Sequence, residues 1–416
     1  MSDLTLSEEL KWRGLIKDRT FSDVKWLDTP RTFYLGSDPS SDSLTIGNLA
    51  IYMLARQLVL HGWKAVLLVG GATGLIGDPG GKDEERQLKS QEEVARNVAG
   101  VTAQVEKLFA GQQFETVNNY DWFKDMGYLE FLRDVGKHYS MTELVQRDFI
   151  ATRMGEGGNG ISYAEFSYNL IQGYDFYWLF KNKGVELQIG GSDQWGNMLS
   201  GAPLVRKKEG KEVHALSMPL VVNKATGKKF GKSEAGAVWL DPAKTSPTQF
   251  YQFWINCDDD GIEDYLKIYT TLPKEEIDGL MADQRDDPGA RRAQIRLAVE
   301  VTRLVHGQEK LNMAHDVTAY LMGADIGHAD EPVVEALRHE IPAVKAAAQG
   351  PIVEALVATG LASSNTEARR LLKENAVSVN GHKVQRDTFE AADFHNGRLM
   401  LRRGKAFKDS ALVELG

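Results

Sequence analysis

The chain has 416 residues, 42% of them hydrophobic and 26% charged, which suits a sizeable core and two or three domains. A net charge of −9 excludes a surface that holds polyanions everywhere, and the single cysteine, Cys257, excludes an intramolecular disulfide or a cysteine-built zinc site. No apolar run approaches transmembrane length, and the opening Met-Ser-Asp-Leu-Thr-Leu-Ser-Glu-Glu has no basic segment followed by an apolar one, so a soluble, cytoplasmic protein without a signal peptide is expected.

Residues 7–18 read as a helix with Leu6, Leu10, Trp12 and Leu15 apolar. Residues 31–35 read as a short strand that Gly36, Asp38 and Pro39 break. Ser40 to Ser43 then offer helix N-caps, and Ile46, Leu49, Met53, Leu54 and Leu58 recur at helical spacing. The bare amides around Gly47 at that helix start favour a phosphate, although an ordinary strand–helix turn would look the same. Residues 65–69 are continuously apolar, as in a buried parallel strand. The glycine-rich run from Gly70 to Lys82 fails the P-loop pattern, which needs Gly at Ile76 and Ser or Thr at Asp83. It reads instead as backbone lying close to a ligand, with Asp78 and Lys82 pointing at it.

Residues 91–108 form an amphipathic helical pattern, and residues 128–139 and 141–154 read as helices. In the aromatic-rich stretch 166–180, Tyr168, Gln172 and Asp175 stand at i, i+4 and i+7, one polar face of a helix. Such a triple suits a binding site better than a helix with a few satisfied polar groups. Strands are expected at 185–189 and 216–222. The first runs into Gly-Gly-Ser-Asp-Gln-Trp-Gly-Asn at 190–197, and the second leads to Lys229-Phe230-Gly231-Lys232-Ser233.

A helical region follows from Thr245 to Ile341, with Leu297, Val301, Leu304 and Val305 as a buried stripe. Residues 342–350 read as a linker, and Pro351 opens a small separate domain. There Ser364 to Glu367 form a capping box, and the helix it starts exposes Arg369, Arg370 and Lys373. An Asn380-Gly381 hairpin turn with Lys383 beyond it follows. From Arg369 to Lys408 there are ten basic and four acidic residues, leaving −15 on the remainder. A basic tail on an acidic body suggests local contact with nucleic acid.

Several stretches carry a family resemblance. Thr45-Ile46-Gly47-Asn48 resembles the His-Ile-Gly-His signature of class I aminoacyl-tRNA synthetases, with Thr in place of the first His. Lys229-Phe230-Gly231-Lys232-Ser233 resembles their second signature, Lys-Met-Ser-Lys-Ser. Gly-Asp-Pro followed by Lys82 and Arg86, the Tyr168–Asp175 helix and Gly-Gly-Ser-Asp-Gln-Trp-Gly-Asn are similar to the tyrosyl-tRNA synthetases in particular, and residues 117–122 resemble their third strand. The end of the chain resembles an S4-like RNA-binding domain, so the likeness spans nearly all 416 residues.

The resemblance implies an α/β fold in three parts: a Rossmann-like parallel-sheet catalytic domain over 1–235 with an inserted helical dimerisation region, an α-helical anticodon-side domain over 236–341, and, after the linker, an S4-like α+β domain over 351–416. It implies activation of L-tyrosine by ATP, with Mg²⁺, and transfer to tRNA(Tyr) by a homodimer, with no prosthetic group and no dedicated metal ligands. Tyr34 and Asp175 would hold the phenol; Asp78, Tyr168 and Gln172 the ammonium group; Gln194 would lie near the carboxylate. Gly36, Asp38, Gly191 and Asp193 would contact the adenylate, and Gly47 and Asn48 the nucleotide. Lys82, Arg86, Lys229, Lys232 and Ser233 would face pyrophosphate, with Ser40 and Thr45 as further candidates; Arg369, Arg370, Lys373 and Lys383 would meet RNA. Tryptophanyl-tRNA synthetases share the fold, but Tyr34 with Asp175 and the C-terminal module argue against that specificity. An RNA-binding factor that kept the synthetase body and lost catalysis is the other alternative; Thr45 favours it, and the intact pocket with both signature lysines opposes it.

Overall fold

The computed structural model describes residues 4–79, 87–145, 148–155, 159–224, 226–228, 230–233, 236–404 and 409–416. Its compact units are two: residues 1–245 with 256–301, and residues 246–255 with 302–416. This division differs from the expected one at 236 and 342, because the helical segment after Thr302 and the C-terminal sheet share one core.

The first unit is built on a parallel sheet of β1 (Thr32–Ser37), β2 (Lys64–Val69), β3 (Phe114–Asn118), β4 (Val185–Gly191) and β5 (His214–Met218), in the order β3-β2-β1-β4-β5. The order reverses between β1 and β4, so the carboxyl ends of these neighbours open a crevice. Ala65 to Val69 are all buried, as a strand covered on both faces requires. Between β1 and β2 runs the helix Ile46–Leu60, which buries Leu49, Met53, Leu54 and Leu58. The helix Gln91–Leu108 has the expected bounds. The helix Tyr163–Lys183 begins at an N-cap, Ser162, that shares a capping box with Glu165, and ends at Gly184.

Several local expectations are corrected. The first helix is Leu6–Trp12, not 7–18, because Gly14 turns the chain at φ 70°. Gly36 does not break β1; it pairs with Leu68, and Ser37 pairs with Val69. The glycine-rich run contains a helix, Gly71–Ile76, whose first amides are taken by the Asn118 and Asn119 side chains. The third strand starts at Phe114 and yields to a helical turn, Tyr120–Phe123. The segment 141–154 holds two helices, Met141–Val145 and Asp148–Met154, and β5 ends at Met218.

The second unit carries a mixed sheet. Two residue pairs, β6 (Lys232–Ser233) and β7 (Gly236–Ala237), precede it in the chain within the first unit. Its strands are β8 (Ala343–Ala346), β9 (Val377–Val379), β10 (His382–Lys383), β11 (Arg398–Arg403) and β12 (Ser410–Leu415), in the order β10-β9-β11-β12-β8. The expected linker at 342–350 thus contains a strand, which pairs in parallel with β12. Asn380 and Gly381 make the hairpin turn, at φ 46° and 82°. Met400 and Leu412 pack with Val317, Leu321, Val334 and Leu337 of the preceding helices. Leu297, Val301 and Val305 are buried and Leu304 is half-buried.

Candidate active site

The carboxyl ends of β1 and β4, the start of the Ile46–Leu60 helix and the Tyr163–Lys183 helix surround a cleft of about 430 Å³. Every described residue assigned to tyrosine or ATP lines it: Tyr34, Gly36, Asp38, Ser40, Thr45, Gly47, Asn48, Asp78, Tyr168, Gln172, Asp175, Gly191, Asp193 and Gln194. Lys82, Arg86 and Lys229 lie outside the described residues, as do the side chains of Lys232 and Ser233.

One end of the cleft is dry. Tyr34 is 1% and Asp175 2% exposed. The Tyr34 hydroxyl is buried with no hydrogen-bond partner, a costly arrangement unless a ligand completes it. Burial, and then the nearby Asp175 charge, push its phenol well above the ordinary range. Burial pushes the Asp175 carboxyl up to about 8, against hydrogen bonds from Asn119 and Trp122 that pull it down. Asn119 Nδ2 donates to Asp175 Oδ2 at 3.1 Å and Trp122 Nε1 to Oδ1 at 2.9 Å. The Trp122 ring is fixed by stacking on Trp178 at 4.2 Å.

The middle is a polar network. Tyr168 Oη donates to Asp38 Oδ2 at 2.7 Å, so Tyr168 is tied to Asp38, the residue expected at the adenylate. Burial, followed by Asp38 and Asp78, raises the Tyr168 phenol far above its usual value. Gln194 Nε2 donates to Asp78 Oδ2 at 2.7 Å, and Asn197 Nδ2 to Asp78 Oδ1 at 3.3 Å. Carboxylates at Asp38 and Asp78 make this stretch attractive to an ammonium group.

The far end brings the two signatures together. Thr45 is the N-cap of the Ile46–Leu60 helix, whereas Ser40 to Ser43 lie in the preceding turn. Gly231 has φ 104°, and a Cβ there would sit 3.2 Å from the Gly47 nitrogen, so glycine is required for the approach. Phe230 stacks on Tyr265 at 4.3 Å, and Tyr269 Oη donates to the Ile46 carbonyl at 3.1 Å. The loop is therefore anchored to the helix start by aromatic packing as well as backbone.

Sequence reasoning missed Thr73, Gln188, Gln87 and Lys89, which also line the cleft, and Asn119, Trp122 and Asn197 behind it. Asn119 could have been found from its place just past the end of β3, where ligand sites of such sheets collect. In the second unit Arg369, Arg370, Lys373 and Lys383 are exposed, but Arg370 lies 3.6 Å from Glu374. Arg386, Arg398 and Arg403 pair with Asp393, Glu331 and Asp409, so part of the tail's positive charge is spent on structure.

Comparisons with known proteins give the family. Residues 27–322 match the family model of tRNA synthetases class I (W and Y), and residues 333–408 match the tyrosine–tRNA ligase SYY-like C-terminal domain. Tyrosine–tRNA ligase 2 of Bacillus cereus is 42% identical, covering 99% of this chain and all of that one. The tyrosine–tRNA ligase of Lactobacillus delbrueckii subsp. bulgaricus is 42% identical over 97% of this chain and 98% of its own. A C-terminally truncated mitochondrial tyrosyl-tRNA synthetase of Aspergillus nidulans superposes with a TM-score of 0.69 at 31% identity, over 76% of this chain and 94% of that one. The chain belongs to the class I tRNA synthetases (W and Y) and, within them, to the tyrosine–tRNA ligases.

Proposed function

We propose that this protein is a tyrosine–tRNA ligase that forms tyrosyl-adenylate and pyrophosphate from L-tyrosine and ATP, then passes the tyrosyl group to the terminal adenosine of tRNA(Tyr). The observation that carries the reading is the unpartnered Tyr34 hydroxyl buried beside Asp175. A substrate phenol would accept from Tyr34 and donate to Asp175, whereas a phenyl ring would leave both unpaired.

The substrate ammonium group would sit among Asp78, Tyr168 and Gln172, with Gln194 beside the carboxylate. Asp38, Gly36, Gly191 and Asp193 would take the adenosine and ribose, and Gly47 with Asn48 the nucleotide's phosphate side. The tyrosine carboxylate attacks the α-phosphate; no side-chain nucleophile is needed. Catalysis is then positioning plus donors aimed at the departing pyrophosphate, supplied by Lys82, Arg86, Lys229, Lys232 and Ser233. Mg²⁺ would accompany the ATP phosphates and offset their charge.

The helices inserted after β3 expose Tyr128, Leu129, Met141, Met154 and Tyr163, which supports a homodimer through this face. Arg369, Arg370, Lys373 and Lys383 would hold tRNA phosphates, and the protein would work in the cytoplasm; among the described residues no helix is long and apolar enough to cross a membrane. The test is pyrophosphate exchange into ATP with each amino acid in turn. Exchange should depend on tyrosine alone; equal exchange with phenylalanine or tryptophan, or none at all, would overturn the reading.

A further inference from the structure

The two polar residues of the Thr45–Asn48 turn bind each other. Asn48 Oδ1 accepts from the Thr45 backbone N–H at 3.0 Å and from Thr45 Oγ at 2.8 Å. A main-chain N–H can meet only the amide oxygen, so this contact fixes which way round the Asn48 amide sits. Its NH₂ group is left as the part of Asn48 that a ligand can engage, in the cleft both residues line.

Thr45 is itself held on both sides. Its backbone is extended, at φ −109° and ψ 169°, and bridges Trp239 in antiparallel fashion. The next amide, Ile46 N–H, donates to the Val238 carbonyl at 3.0 Å. A side chain on so rigid a backbone can orient another, whereas a threonine hydroxyl already committed to Asn48 is a poor substitute for a long imidazole reaching a phosphate.

We propose that Thr45 is a positioning residue that acts through Asn48. It locks the Asn48 amide with its two donor hydrogens toward the phosphate end of the cleft, so that they meet the nucleotide without reorganisation. This rests on the tyrosine-activating reading above and deepens it. The turn's first polar residue becomes a support for the second, and an exposed asparagine that would otherwise sample several rotamers acquires one.

The test is a double-mutant cycle in tyrosine-dependent pyrophosphate exchange, using Thr45→Val, Asn48→Ala and the pair. Thr45→Val keeps shape and the main-chain N–H but loses the hydroxyl donor, so the Asn48 amide is held by one bond in place of two; it should lower kcat about tenfold while the KM for tyrosine stays within about twofold. Thr45→Ser should restore most of that rate. In the Asn48→Ala background Thr45→Val should cost nothing further. Multiplying effects would overturn the proposal, because Thr45 would then act independently of Asn48, and so would an unchanged kcat in Thr45→Val. An unmoved tyrosine KM shows that the variant still folds its pocket. Absence of exchange in the unaltered protein would instead remove the functional reading on which the proposal stands.

Discussion

The parallel sheet of the first unit and the mixed sheet of the second support sites of opposite physical kind. At the carboxyl ends of β1 and β4 the decisive groups are buried, and their strength comes from what desolvation makes costly: an unpartnered Tyr34 hydroxyl and an Asp175 carboxyl whose proton is held to about pH 8. The helix Asn365–Lys373 exposes the cations Arg369, Arg370 and Lys373, which under the proposed function would work through their summed field on a polyanion. A site of the first kind would discriminate by leaving wrong partners unsatisfied and be insensitive to salt. One of the second kind would attract without reading much and fade as salt rises.

The largest expected effect breaks the first kind. Asp175→Ala would strip the acceptor from two donors, Asn119 Nδ2 and Trp122 Nε1, and would leave the substrate phenol without its own, so it should lower kcat/KM for tyrosine about 100-fold or more, equally at low and moderate salt. A loss that shrinks in low salt would place Asp175 among the long-range charges instead. Next in size is a pH effect. The folded-state pKa of Asp175 is raised, so its contribution to stability is fully present below the ordinary carboxylate pKa of about 4 and is lost as pH rises through about 8. Asp175→Asn cannot ionise. Its stability relative to the unaltered protein should therefore improve by up to about 1.4 kcal/mol per pH unit between those limits, read from thermal midpoints across the pH range. A flat difference would mean the carboxyl is already ionised in the folded state.

Smaller is Trp122→Phe, which keeps the stacking on Trp178 and removes the 2.9 Å donor to Asp175. It should raise the tyrosine KM about tenfold. Smallest, and on the other side of the comparison, is Arg369→Ala with Arg370→Ala. Exchange should be untouched, while the slope of log tRNA affinity against log salt should flatten by about one unit per lost phosphate contact. Because Arg370 is near Glu374, Arg369 should account for more of that change. A uniform drop in affinity with the same slope would mean these residues meet bases or hold structure.

The parts of this molecule legible in sequence were those fixed by near neighbours. The helix Gln91–Leu108, the apolar β2 and the Tyr168–Asp175 face all follow from local periodicity, and the fold class followed from motifs that sit at strand ends. What escaped depends on partners far along the chain. Nothing near Asp175 announces Asn119 and Trp122, which arrive from the end of β3. Gly36 looks like a strand breaker until β2 supplies the pairing partner, Leu68. The stretch 342–350 has linker composition, and only β12 makes a strand of part of it. Ending the protein at Gly350 would therefore not simply remove a tail: it would strip Met400 and Leu412 from the core they share with Val317, Leu321 and Leu337.

During synthesis β8 leaves the ribosome before every other strand of its sheet, yet its pairing partner, β12, is made after all of them. The five strands of the first unit's parallel sheet span Thr32 to Met218 and can assemble while translation is still in progress. The second sheet has no such freedom. Until β12 arrives, β8 presents an unpaired edge, and the neighbouring helices lack the Leu412 side chain that closes their core. A ribosome that stalls late would hold a nascent chain with a finished catalytic cleft and an open, adhesive second unit, a substrate for chaperones and proteases at the moment before release.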